Sequence, residues 1–185
     1  MPKNISKELE KEILGLTQKE KDRHLLRLIA ANKLLREQLQ FTLLEDDSEL
    51  RLRVEELEEG IRENLSKDFS HVTFLTKAIR KEVAAVTWHR RVTKDKYGEI
   101  HLWIVLFQTV FEHQSAHIRS FERKADVLRV YLVKRMAAVL RLLNAVHADF
   151  QTDFFVEINK ILKLLHTFDT KFEAVKIKLP TSVDS

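Results

Sequence analysis

Residues 99–118 read EIHLWIVLFQTVFEHQSAHI, and this stretch decides the fold. At 100° per residue its polar members His101, Gln108, Thr109, Glu112 and Ser115 share one face. Leu102, Trp103, Ile104, Leu106, Phe107, Val110 and Phe111 cover nearly all the rest. A helix that is apolar over most of its circumference must be covered by neighbours on several sides. The segment is therefore expected to be the central helix of an all-α protein. Its most apolar part, Ile100 to Phe111, is about a dozen residues. That is short of the ~20 needed to span a bilayer, so it reads as a core helix.

Working outward, the same three- and four-residue spacing recurs along the chain. Leu9, Ile13 and Leu14 mark a short helix that ends near Gly15. Thr17-Gln-Lys-Glu20 is a capping box that starts a second helix, with Asn32 as a candidate break. Glu45-Asp-Asp-Ser48 is a loop ending in an N-cap, followed by a helix from about Glu49 to Leu65. The next helix spans about Val72 to Val92, and Thr93 to Gly98 is a loop. Beyond the central segment, helices are expected over about Ala125–Ala148 and Thr152–Phe168. The sum is a single-domain irregular bundle of six to eight helices over residues 1–176, with 177–185 as a flexible tail. A short HEAT-like stack of helical pairs is the alternative arrangement.

Composition narrows this further. The 185 residues include three glycines, two prolines and no cysteine. A strand-rich fold needs many turns, and turns draw on Gly and Pro, so β-sandwiches, barrels and doubly wound α/β enzymes are disfavoured. No Gly-rich phosphate loop, nucleophile elbow or Cys-His set is present. Thiolate zinc sites and disulfides are excluded. The charged start, Met1 to Glu12, has no apolar segment of the kind a secretory signal carries. A cytoplasmic, non-membrane protein is expected.

Charge is unevenly spread. Residues 41–70 hold ten acidic and four basic residues, whereas residues 71–185 hold nineteen basic and twelve acidic ones. Arg90, Arg91, Lys94 and Lys96 cluster before Gly98. On a continuous helix, Arg119, Arg123, Lys134 and Arg141 fall within about 60° of one another. These eight are the candidate anion-binding residues, because a one-sided basic stripe can neutralise phosphates. Further basic residues, Arg80 and Arg135 among them, belong to the same two clusters. Trp88 and Tyr97, interleaved with cations, suit base stacking; Trp88 equally suits the core end of its helix.

His113 and His117, one turn apart on the central helix with Glu112 beside them, are the candidate metal ligands. The acid precedes the pair, so the zincin pattern fails, and no Glu-x-x-His motif of the di-iron type occurs. His147, His166, Asp149 and Asp153 would add ligands only if the fold brought them together. The leading functional expectation is a non-catalytic protein-interaction or assembly module with no cofactor, binding a protein partner or itself. Nucleic-acid or other polyanion binding is the second, and a His-based enzyme with a divalent metal is the third.

Overall fold

The computed structural model describes residues 5–183, which are all-α, with no strand among them. Ten helices occur there: α1 (Lys7–Gly15), α2 (Gln18–Ala31), α3 (Lys33–Leu44), α4 (Asp47–Leu65), α5 (Val72–Thr93), α6 (Lys96–His113), α7 (Ser115–Arg119), α8 (Arg123–Leu143), α9 (Ala148–Thr167) and α10 (Lys171–Lys176). Six to eight were expected. The surplus is two short pieces, α7 and α10, which carry too few residues to show a period of their own. None of the helices described is long and apolar enough to cross a membrane.

The chain divides into two compact units, one ending at Glu45 and the other beginning at Asp46. In the first, the local signals act as the sequence implies. Ser6 caps α1 through its side chain, accepting from the Leu9 amide. Thr17 accepts from the Glu20 amide while the Glu20 carboxylate accepts from the Thr17 amide, leaving two end donors satisfied. Asn32 both ends α2 and caps α3, accepting from the Leu35 amide at 3.1 Å. No residue of α1, α2 or α3 is buried.

The second unit holds the core. Among the described residues, every buried one lies between Ile61 and Leu179. Helix α6 is its centre, as its sequence requires: eleven of its eighteen residues are buried. It packs against α4, α5, α8 and α9. A shared central helix makes this an irregular bundle, because in a stack of helical pairs each unit would touch only its neighbours.

Helix α6 starts earlier than expected. Asp95 is its N-cap and accepts from the Gly98 amide at 2.9 Å, so Gly98 sits in the first turn. A Cβ there would run into the Asp95 carboxylate and approach Val54 Cγ2 to 3.0 Å. The absence of a side chain at Gly98 is what lets the cap close beside α4.

Helix α6 also ends earlier, at His113. Gln114 is buried, and its amide donates to Leu65 O at 2.7 Å and Lys67 O at 3.0 Å. This ties the break to the end of α4. Residues 177–183, where a tail was expected, lie against the unit. Leu179 is buried, and Asn159 exchanges two hydrogen bonds with the Val183 backbone.

Candidate functional site

The eight basic residues singled out by sequence disperse. Arg90 pairs with Glu99 at 3.3 Å. Lys94, at the left-handed end of α5 with φ 63°, donates to Arg91 O. Lys96 donates to Ala145 O at 2.8 Å, tying the start of α6 to the segment after α8. Arg119 covers the Phe168 ring at 4.5 Å. It stands on α7, so it is not continuous with Arg123, Lys134 and Arg141, which are exposed on α8. Arg129 is drawn inward to Ile118 O and Ser120 O. Several cations of the basic clusters are thus structural fasteners.

Three others meet. A cleft of about 600 Å³ runs between α5 and α8, lined by Arg80, Val83, Ala84, Thr87, Trp88, Arg91, Tyr131 and Arg135. The α5 members recur every three or four residues and so share one helix face. Tyr131 and Arg135 stand one turn apart on α8. The lining contains no carboxylate. Two guanidiniums rest on one ring, with Arg80 at 5.6 Å and Arg135 at 5.0 Å from the Tyr131 centroid. Arg135 also lies 5.9 Å from the Trp103 ring, and Arg91 lies 5.4 Å from Trp88. The ring faces carry negative potential that attracts each cation. Only Arg91 of this trio was among the candidate anion ligands. Arg80 and Arg135 were legible as members of the basic clusters. Their meeting depends on α5 lying beside α8, which periodicity does not reveal.

A second polar grouping surrounds the start of α6. His89 is buried and its Nε2 lies 3.4 Å from Asp95 Oδ2. Burial pushes the Asp95 carboxyl up, but the His89 ring and the Gly98 amide outweigh it and hold the group below its ordinary value. Burial also raises the Glu99 carboxyl, against the Trp103 side chain and Arg90. Nearby, His101 Nε2 and Glu58 Oε2 are 2.6 Å apart, joining α6 to α4, and Arg62 holds the other oxygen of Glu58 at 2.8 Å. An imidazole beside a carboxylate can handle protons. With His89 only 4% exposed, the His89–Asp95 pair instead buttresses the cap.

The candidate metal ligands stand on different helices. His113 closes α6, with Nε2 3.9 Å from Glu112. His117, on α7, has its Nε2 2.9 Å from Phe69 O. His147 caps α9 by accepting from the Asp149 amide, His166 meets Pro180 O, and Asp153 accepts from the Tyr97 hydroxyl. Among the described residues, no group of three or more His, Asp or Glu side chains is placed to hold one metal ion.

The first unit presents a feature of another kind. Leu9, Ile13, Leu14, Leu25, Leu26 and Leu28 are all exposed on α1 and α2. Ile13, Leu16, Leu25 and Leu28, with Lys21 and His24, line an apolar groove of about 420 Å³. Apolar spacing marked α1 and α2 as helices, and the exposure of these leucines is what the spacing could not supply. Compared with known proteins, the chain matches no family model, no curated protein and no solved structure.

Proposed function

We propose that the protein is a non-catalytic assembly module that pairs with a second copy of itself through α1 and α2. One observation carries this reading: three helices rich in leucine bury no residue at all. Helices of nine to fourteen residues are marginal in water, and most helical stability comes from burying an apolar face. Leu14 at 67% and Leu28 at 61% exposure leave that face uncovered. Contiguous apolar surface of this kind marks a docking site.

Charge favours a second copy as the occupant. Helix α1 carries Glu8, Glu10 and Glu12 against Lys7 and Lys11, a net negative charge. Helix α2 carries Lys19, Lys21, Arg23 and Arg27 against Glu20 and Asp22, a net positive one. In a twofold arrangement, whatever α1 of one copy meets on its partner is met in return. Setting α1 on the partner's α2 pairs opposite charges twice while closing both apolar grooves. The net charges of the facing helices are then complementary, which favours specific pairing.

Light scattering after size exclusion tests the proposal. The full chain is expected at twice its 21.8 kDa mass. Replacing both Leu25 and Leu28 by Glu is expected to return the mass to that of one chain with helicity retained. A wild-type chain that remains a monomer at high micromolar concentration contradicts it.

A further inference from the structure

We propose that the cleft between α5 and α8 binds a phosphoryl group on a small ligand, gripped by the guanidiniums of Arg80 and Arg135, which converge on the Tyr131 ring. The inference is independent of pairing through α1 and α2, since every residue it uses lies in the second unit. Each guanidinium offers five N–H donors and accepts nothing. Three other arginines of the unit pair with carboxylates: Arg62 with Glu58, Arg90 with Glu99, Arg129 with Asp126. Among the described residues, Arg80 and Arg135 meet only aromatic rings. No carboxylate lines the cleft beside Arg80 and Arg135.

The rings define the ligand by what they already do. Trp88 has Arg91 within 6 Å of its ring centroid, and Tyr131 has Arg80 and Arg135. Their π surfaces therefore hold the chain's own cations in place, and a base stacked on Tyr131 would compete with two of them. That disfavours the single-strand mode, in which successive bases stack on open rings. It favours a compact dianion, which accepts two parallel N–H bonds from each planar fork. Phosphate monoester and pyrophosphate oxygens have this geometry. The hydroxyl of Thr87 adds one more polar group to the lining, and Val83 and Ala84 supply apolar wall for the ligand's organic part. The cleft volume lies within the range of small-molecule sites.

The test is an NMR titration of the ¹⁵N-labelled full chain with inorganic phosphate, then with glycerol phosphate, at low ionic strength. The Trp88 indole and arginine Nε–H resonances are followed. Saturable shifts at Arg80 and Arg135, with a smaller one at the Trp88 indole, are expected with both probes, tighter for glycerol phosphate. Arg135→Gln and, separately, Arg80→Gln should each weaken binding about tenfold or more, the loss expected for a charge-assisted hydrogen bond. Arg135→Lys should recover only part of it. Arg141→Gln, on the same helix outside the cleft, should change affinity less than about twofold. No saturable shift up to about 10 mM phosphate, weaker than any specific site, would overturn the proposal. So would equal losses from Arg141→Gln and Arg135→Gln, which would mean diffuse attraction. A single-stranded oligonucleotide that binds and is not displaced by phosphate would overturn it in favour of nucleic acid.

Discussion

At the scale of single residues, polar groups inside the second unit are placed to close its architecture. Glu82 is the clearest case. It is 5% exposed and accepts from the Asn64 side-chain amide at 3.1 Å, joining α5 to α4. Burial pushes its carboxyl above the ordinary value of 4.5, only partly offset by Lys81, Asn64 and Lys67. A raised folded-state value means the native protein holds this proton after the unfolded chain has released it. Stability from Glu82 is therefore full below about pH 4.5 and falls as pH rises through the folded-state value. Glu82→Gln keeps an acceptor for Asn64 and removes the ionisation. Its urea midpoint should exceed the native one at pH 7 and converge with it near pH 4. A variant less stable than native at pH 7 would contradict the assignment.

The same scale shows what sequence could and could not reveal about the site. The capping role of Thr17 with Glu20 was readable because both partners lie within four residues. Arg80 and Arg135 were visible only as members of the basic clusters, and Tyr131 was not singled out, because their meeting needs two helices distant in sequence to lie side by side. Lys96 looked like a free cation, and its partner Ala145 O lies 49 residues away.

At the scale of elements, periodicity located helices well and ended them less well. The expected span of Val72 to about Val92 agrees closely with α5, since a left-handed Lys94 closes it locally. The central stretch was read through to Ile118, but α6 stops at His113. Apolar spacing continues across the break because Ile118 on α7 is also buried. The cause of the break is tertiary: the buried Gln114 amide is bonded to the carbonyls of Leu65 and Lys67. Gln114→Ala leaves buried acceptors unpaired and should lower the unfolding free energy by about 1–3 kcal/mol. Urea unfolding followed by tryptophan fluorescence reads this. A change under about 0.5 kcal/mol would show that the amide does not fasten α4 to the α6–α7 break.

At the scale of the whole chain, the two units differ in how they satisfy the hydrophobic effect. Residues 46–183 bury an extensive core around α6, from Ile61 to Leu179. Helices α1 to α3 are also rich in leucine, yet none of their leucines is fully buried, and those of α1 and α2 are exposed. The all-α class followed from spacing and from the scarcity of Gly and Pro. The uneven use of those leucines did not, because a stripe that faces a core and a stripe that faces a partner have the same period.

The reading of α1 and α2 as a self-pairing surface makes a direct demand on backbone protection. Short helices without a buried face open readily, and their amides exchange quickly. Helices covered by a second copy are protected only while paired, so protection must follow concentration. Hydrogen exchange of the full chain, read across residues 7–31 at low and at high micromolar concentration, measures this. Slow exchange that is lost on dilution is expected in α1 and α2, with α6 protected equally at both concentrations. Exchange in α1 and α2 that is the same at both concentrations would contradict it.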